Sequence, residues 1–520
     1  MDFGRIKSLI IFIACALVAL VVGYSLSDPL DLSSMLFLSL LVGVFSFPIL
    51  LNWHHQLLIA SWNAAAVVFF LPGQLPIGIV MAFASIAMVV LTSTMSKHGQ
   101  FINVPSLTWP LLFLTFVFVA TAALTGGIGL RLLGASSFGG RRMIYLLAAI
   151  SGYFALTSKR IPRNEGVFFV SLFFLSGTTS AISNIVYFLG NGLNFLFLPF
   201  PLQITGGEVN ARLGESLDML RLVGLAFAAH FFICFLLVRY GVAGIFSFQS
   251  VWRPIVFFLA MIGVMLGGFR SVFGLVGLLL IIQFFLEGLY RTRLLPVVLA
   301  ALVLLGMFVV FFGESLPLSV QRALSFLPVK IDPIARYNAT ATTEWRLDMW
   351  SQLWPQVPGY LALGKGFSID PNDIFLAWEA QRSGFVKDWE VALVVGNYHN
   401  GPLSVLIPFG LAGAVGFVWF LVVGCRILYQ NYRNGLPELR TANTFLFALF
   451  FARILTFTFV YGALDIDLLY FTGLVGLGVS LNGGVVKKPK AGRESHFVPI
   501  REGGVQRKSL QEVMVGSNQV

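Results

Sequence analysis

Long apolar runs alternate with short polar segments along almost the whole chain, and they predict membrane-spanning helices. A hydrocarbon core about 30 Å thick needs roughly 20 apolar residues per helical crossing. The runs are continuous, whereas the strands of a membrane barrel alternate apolar and polar residues, so a barrel is not expected. The spans are expected near residues 8–26, 33–51, 57–71, 75–92, 107–124, 142–158, 166–189, 218–238, 254–269, 271–289, 294–312, 400–424, 442–460 and 466–484.

One long polar segment interrupts these spans and sets the expected domain organisation. The pattern predicts an all-α, polytopic transmembrane helix bundle of about 12–14 spans with one large periplasmic loop. Loops of such length are usually functional. The tail is polar and basic without an apolar period, so it is expected to be disordered. The predicted parts are a transmembrane bundle over 1–312, the loop over 313–399, transmembrane helices over 400–484 and the tail over 485–520.

The amino-acid composition is that of a protein whose surroundings are lipid. Of the 520 residues, 57% are hydrophobic and 11% are charged, and the mean hydropathy is +0.86. The net charge of +11 is spread over short loops and the tail, which favours a role in topology over binding of nucleic acid. The three cysteines lie in or beside apolar runs, and no histidine spacing resembles a zinc site. We therefore expect no disulfide framework, no metal and no cofactor.

The distribution of charge over the loops predicts the orientation. The positive-inside rule places basic loops in the cytoplasm, so both termini are expected inside and the long loop outside. The outer loops carry mainly acidic residues, namely Asp28, Asp31, Glu208, Asp465 and Asp467. The basic residues of the inner loops are Lys97, Lys159, Arg160, Arg163, Arg239, Arg253, Arg291, Arg293, Arg426, Arg433 and Arg440.

Several arginines break this rule and are candidates for function. The exceptions on the outer side are Arg131, Arg141, Arg142, Arg212, Arg221, Arg270 and Arg346. Arg453 lies inside an apolar run, where an arginine costs about 2.5–3.5 kcal/mol, so a partner or a function is expected for it. A structural salt bridge from Arg453 to Asp465 or Asp467 is the alternative. Guanidinium groups stay charged and pair with phosphate oxygens, so a lipid-linked diphosphate such as an undecaprenyl-linked sugar suits such a cluster. The candidate diphosphate-binding residues are Arg270, Arg346, Arg142, Arg221 and Arg453.

The long loop contains two further features. Its segment TTEWRLDMWSQLWP predicts a short interfacial helix that begins after a Thr343 cap and stops at Pro355. The tryptophans in it either anchor the loop in lipid headgroups or stack on substrate. His399 is the only histidine of the loop, and a neutral imidazole can take a proton from a sugar hydroxyl. A hydrogen-bonded structural histidine is the alternative, and the LGKGF segment is interpreted as a turn.

Three segments in this order carry a resemblance to a known family. They are FRS after one span, WRLDMW followed by LGKGF, and YHNGPLSVLIPFGLAG entering the next span. Together with the hydropathy they make the region from Arg270 to Gly413 similar to the O-antigen ligase and polymerase superfamily of the bacterial inner membrane. That resemblance implies inverting transfer of a glycan from undecaprenyl diphosphate to an acceptor hydroxyl, without metal or nucleotide. It also implies His399 as the base, Arg270 and Arg346 as diphosphate ligands, and Asn400 as the residue that orients the histidine or the acceptor.

The resemblance leaves polymerase and ligase open, because these motifs do not separate the two. The acceptor is accordingly a lipid-linked glycan, a lipid A core or a protein, and chain-length or export proteins are expected as further partners. A transporter or flippase for lipid-linked sugars is the competing class, although it would want its charges near the midplane of two similar halves. A structural or regulatory subunit is the third class, and it would leave Arg270, Arg346 and His399 freely replaceable.

Overall fold

A computed structural model describes most of the chain. The described residues are 3–28, 31–71, 73–95, 101–129, 137–205, 220–247 and 249–487. The predictions that concern Lys97, Arg131, Glu208, Arg212 and the tail from residue 488 onward lie outside these residues.

The part of the chain before the long loop is almost entirely helical. Its helices are α1 (Phe3–Ser27), α2 (Leu32–Ser61), α3 (Ile77–Met95), α4 (Pro105–Leu124), α5 (Gly140–Leu156), α6 (Gly166–Leu175), α7 (Ala181–Leu189), α8 (Val223–Ile245), α9 (Trp252–Leu266), α10 (Arg270–Leu286) and α11 (Leu294–Phe312). Short 3₁₀ segments at Arg163–Glu165 and Ser176–Ser180 extend α6 and α7 into one long apolar crossing. An antiparallel pair of two-residue strands, β1 (Ile204–Thr205) and β2 (Arg221–Leu222), precedes α8.

The loop and the C-terminal part contain eight more helices among the described residues. Those of the loop are α12 (Leu318–Ala323), α13 (Pro333–Leu353), α14 (Val357–Tyr360), α15 (Pro371–Arg382) and α16 (Asp388–Val395). Those after the loop are α17 (Gly401–Asn434), α18 (Arg440–Phe459) and α19 (Leu464–Asn482).

The predicted all-α, polytopic architecture is confirmed. In the described part of the chain, nine helical segments have the length and hydropathy to cross a membrane, and three shorter apolar segments accompany them. Burial differs strongly among them: 78% of the apolar window of α19 is buried, whereas only 6% of that of α11 is. The centre of the bundle is therefore α19, and α11 exposes its apolar side chains as a lipid-facing helix does.

The predicted span at 57–71 is wrong as a separate helix. Helix α2 runs through its first residues and ends at Ser61, and an irregular hairpin follows. The polar groups of this hairpin bond to the neighbouring crossing: Asn63 donates to the carbonyl of Phe173, and the Ala65 N–H donates to Thr179. Non-helical backbone is tolerated at membrane depth where protein satisfies it in this way. Apolar composition alone does not distinguish such a buried segment from a helix.

A break in α17 connects the loop to the bundle. The helix is interrupted at Gly410, two residues after Pro408, and the φ of Gly410 is 59°. The LGKGF segment is a turn, as predicted, and its N–H groups donate to the carbonyls freed by the break: Lys365 to Ile407 at 2.7 Å and Gly366 to Pro408 at 2.9 Å. The broken helix thus remains satisfied, and the loop is held against the start of the span.

The predicted start of the loop helix at Thr343 is also wrong. Helix α13 begins ten residues earlier, at Pro333, where the Asp332 side chain accepts a hydrogen bond from the N–H of Ile334. An acidic cap followed by proline is itself a start signal. The predicted end before Pro355 is confirmed, since the helix ends at Leu353.

Candidate functional site

The turn GGFR between α9 and α10 is the centre of the candidate site. Gly268 adopts a φ of +63°, in the region that favours glycine, and Arg270 is the first residue of α10. The Arg270 guanidinium donates to the carbonyl of Ala339 at 2.9 Å and to the hydroxyl of Thr343 at 2.9 Å. Both partners lie on α13, so Arg270 ties the loop helix to the membrane bundle.

Two more arginines flank the same turn. Arg221 donates through Nε to the carbonyl of Gly267 at 3.0 Å, and its guanidinium lies 4.1 Å from the centre of the Phe269 ring. Arg322, only 7% exposed, donates to the carbonyl of Gly268 at 2.6 Å. A Cβ placed on Gly268 would lie 3.4 Å from Nε of Arg221 and 3.6 Å from Nη1 of Arg322. The two guanidinium groups therefore approach the turn from two different elements, β2 for Arg221 and α12 for Arg322.

The neighbouring residue of α12 explains how Arg322 is held. Gln321 is buried and donates to the carbonyl of Leu316 at 2.7 Å, while its side-chain oxygen accepts from the N–H of Asp332 at 2.6 Å. These bonds fix the short helix between the end of α11 and the start of α13. Arg322 is thereby held toward the GGFR turn.

The electrostatics of Arg322 reveal a four-member group, which we call the arginine cluster: Arg221, Arg270, Arg322 and Arg346. Burial, together with the charges of the other three members, lowers the pKa of Arg322 to about 10. Burial also lowers the pKa of Arg221 to about 10. In the part of the chain that the structure describes, the three ion pairs join other residues. The cluster thus carries uncompensated positive charge in a partly buried setting, which makes it a candidate anion site.

A diphosphate should therefore stabilise the folded protein. At a concentration 100 times its Kd, inorganic pyrophosphate is expected to add about 2.7 kcal/mol, seen as a rise in the melting temperature of the full chain in detergent. The Arg346→Ala variant should lose this rise, whereas Arg336→Ala should keep it, because Arg336 is an exposed arginine of the same helix outside the cluster. Sodium chloride at equal ionic strength is the control for screening. Equal rises in both variants would contradict an anion site at the cluster.

His399 lies beside the cluster in a strained backbone conformation. Its φ of 49° is uncommon for a residue with a side chain, and such outliers concentrate at functional sites. The ring packs edge-on against Trp345, with 5.0 Å between ring centres, and lies 5.4 Å from the ring of Tyr461. Its Nδ1 is buried without a hydrogen-bond partner among the described residues. The imidazole is thus held by ring contacts, and Nδ1 makes no hydrogen bond within the described residues.

The surroundings of His399 determine its protonation state. Burial lowers its pKa to about 4, and the charge of Arg346 acts in the same direction. At neutral pH the imidazole is therefore uncharged and able to accept a proton. Arg346 itself lies 5.9 Å from the ring of Tyr461, which also contacts His399. A neutral base and the arginine cluster consequently meet at one end of the helix bundle.

Asn400 has a structural contact at the same place. Its side-chain oxygen accepts a hydrogen bond from the N–H of Leu403 at 3.1 Å and caps the start of α17. This cap fixes the helix end directly after His399. The side chain therefore positions the histidine through the backbone, and its oxygen is occupied by the cap.

The remaining candidate arginines lie apart from the cluster. Arg142 lies 3.7 Å from the Asp465 carboxylate and donates to the carbonyl of Gly396 at 2.9 Å. Arg453 pairs with Asp467 at 3.1 Å, and its guanidinium lies 3.8 Å from the centre of the Tyr470 ring. For Arg453 the structure shows the salt bridge that was the structural alternative. Both arginines are neutralised by carboxylates of α19.

Sequence reasoning named three members of the cluster and missed Arg322. This arginine follows the last span before the loop and belongs to the same predicted outer side as Arg270. Its flanking residues, Val320, Ala323 and Leu324, are all buried. A charged residue that lies among apolar neighbours outside a span indicates burial, and this feature of the sequence could have identified Arg322.

The fold and the site define a class: a multi-pass membrane protein in which an arginine cluster lies beside a neutral histidine. Residues 255–418 match the family model described as O-Antigen ligase. The match confirms the resemblance found in the sequence: this part of the chain is similar to membrane glycan transferases of the O-antigen ligase and polymerase type. The matched region contains Arg270, Arg322, Arg346 and His399. No curated protein sequence matches the chain.

Proposed function

We propose that this protein transfers a glycan from undecaprenyl diphosphate to an acceptor hydroxyl at the periplasmic face of the membrane. The observation that carries the proposal is the neutral His399 next to four arginines without carboxylate partners among the described residues. A base and a leaving-group site in one place are what glycosyl transfer to a hydroxyl requires.

The arginine cluster provides the site for the donor diphosphate. During transfer the bond between the anomeric carbon and the phosphate oxygen breaks, and its electron pair leaves with the diphosphate. Negative charge therefore grows on the leaving group, and fixed guanidinium groups stabilise it. Arg270 and Arg322 are already oriented by backbone carbonyls, so little reorganisation is needed.

His399 acts on the acceptor. Its uncharged imidazole takes the proton of the attacking hydroxyl while the oxygen forms the new bond to the anomeric carbon. One displacement from the side opposite the leaving group inverts the anomeric configuration. Asn400 supports this step by fixing the start of α17 behind the histidine.

The acceptor distinguishes two forms of the same chemistry. A polymerase would use another lipid-linked glycan, and a ligase would use a lipid A core or a protein. Chain-length or export proteins are the further partners that such a reaction would involve. The transporter alternative has less support, because Arg453, the arginine within an apolar span, is paired with Asp467.

A reconstituted system tests the function directly. The purified full chain in liposomes, supplied with lipid-linked donor and acceptor, should release undecaprenyl diphosphate in equal amounts with new glycosidic bonds. Mass spectrometry of the products then shows whether lipid-linked glycan lengthens or a different acceptor is modified. Movement of the donor across the bilayer without release of diphosphate lipid would overturn the proposal in favour of a transporter.

A further inference from the structure

A cavity of about 390 Å³ lies in the loop, outside the arginine cluster. Its volume falls within the roughly 300–1,000 Å³ typical of ligand sites. It lies between the C-terminal half of α13, the helix α16 and the start of α17. The polar and aromatic side chains that line it are those of Gln352, Gln356, Tyr360, Lys365, Trp389, Glu390 and Tyr398.

The chemistry of this lining differs from that of the cluster. It combines three aromatic residues with two carboxamides, and its charged residues, Lys365 and Glu390, have opposite signs. The buried indole N–H of Trp389 has no hydrogen-bond partner within the described part of the chain. Aromatic faces and amide groups suit the apolar face and the hydroxyls of a sugar ring, whereas an anion would want net positive charge.

The position of the cavity relates it to His399. Tyr398 lines the cavity and directly precedes the histidine, and its carbonyl accepts a hydrogen bond from the indole of Trp350 at 2.9 Å. Along α13, Arg346 of the cluster and Gln352 of the cavity are six residues apart, a rise of about 9 Å on different faces of the helix, so Tyr398 is the link between the cavity and the histidine. A glycan that reacts at His399 can therefore place a neighbouring sugar in the cavity.

We propose that this cavity is a subsite for an uncharged sugar ring of a substrate glycan. The inference rests on the proposed function and adds to it a second point of recognition. The sugar belongs either to the acceptor or to the glycan of the donor, because both converge on the same histidine. A sugar held there orients the reacting end and sets which repeat unit is accepted.

Direct binding tests the subsite without any transfer reaction. The probe is a set of oligosaccharides released by mild acid from the surface polysaccharide of the producing cells, titrated into the full chain in nanodiscs. The Gln356→Ala and Trp389→Phe variants should each bind about tenfold more weakly than the parent, the size of one lost hydrogen bond at the upper end of its range. Gln356 is exposed, so its replacement should leave folding intact. Trp378→Phe is the matched control, because Trp378 is an exposed residue of α15 outside the cavity.

Steady-state rates distinguish the two sources of the sugar. A raised KM for acceptor alone in Gln356→Ala assigns the subsite to the acceptor, and a raised KM for donor alone assigns it to the donor glycan. Equal affinity of the parent, Gln356→Ala and Trp389→Phe for the oligosaccharides would overturn the subsite. Failure of the proposed function gives a different result: the parent protein would bind the oligosaccharide but form no glycosidic bond.

Discussion

Replacement of His399 by Ala should lower the rate of glycan transfer by about 100-fold to 10,000-fold, the usual contribution of a general base. The imidazole is uncharged at neutral pH, so it is able to accept a proton. The measurement is the initial rate of undecaprenyl diphosphate release by purified variants. In cells at matched membrane expression, lipid-linked intermediates should accumulate while surface polysaccharide is lost.

A second substitution separates chemistry from packing. His399→Gln keeps a polar side chain next to Trp345 and Tyr461 but cannot act as a base at neutral pH. It should be as inactive as the alanine variant while retaining the pyrophosphate-dependent rise in melting temperature. Transfer at the parental rate in either variant would exclude the general-base role.

The pH profile of the parent protein gives an independent readout of the base. Since the pKa of His399 is lowered to about 4, kcat/KM should stay high as the pH falls from 7 and should decline only near pH 4. In kcat the decline should lie at higher pH, because a bound diphosphate favours the charged imidazolium. A decline of kcat/KM centred near the ordinary value of 6.5 would show that His399 is more solvated than its contacts indicate.

Replacement of Arg322 by Gln should lower kcat by about 100-fold to 1,000-fold, the range for loss of one donor to a developing anion. Arg322 is the most buried member of the cluster. The positive charges of the other three arginines disfavour the charged form of Arg322 and so lower its pKa. Removal of one of four like charges should leave the melting temperature unchanged or raised. The measurement is therefore paired: the rate of transfer and the thermal stability of the same preparation.

The control for Arg322 is another arginine of the loop. Arg336→Gln should keep both rate and stability, since its guanidinium is exposed and donates to the carbonyl of Val329. Arg322→Lys should recover part of the rate, because it restores the charge without the planar fork. A fall in melting temperature that matches the fall in rate would assign Arg322 to folding instead of leaving-group stabilisation.

The all-α, polytopic class followed from the pattern of apolar residues, and the failures have a common cause. The span at 57–71 was wrong because an apolar run can be buried as irregular chain when neighbours satisfy its backbone, as Thr179 does for Ala65. The start of α13 was placed at Thr343 because the residues before it lack an apolar period, although Asp332 and Pro333 cap them. At 57–71, contacts with residues distant in sequence outweighed the apolar pattern. At the start of α13, the cap outweighed the lack of an apolar period.

The candidate site shows the same limit. The positive-inside rule selected arginines by side of the membrane, and this was enough to name Arg221, Arg270 and Arg346. It did not separate them from Arg142 and Arg453, because the carboxylates that neutralise those two come from α19, far away in sequence. Which arginine and which carboxylate form an ion pair depends on the folded structure, and a single sequence does not reveal it.

The sequence by itself determined that the chain is a multi-pass membrane protein, that one long loop interrupts its helices, and which arginines and which histidine of the predicted outer side are candidates for chemistry. These conclusions depend on composition and on period, which are local quantities. Only the tertiary structure decided which of the described arginines lack a carboxylate partner, that Arg322 belongs with them, and that the environment of His399 keeps it neutral. Each of these depends on burial and on charges brought together by packing, so it exists only in the folded protein.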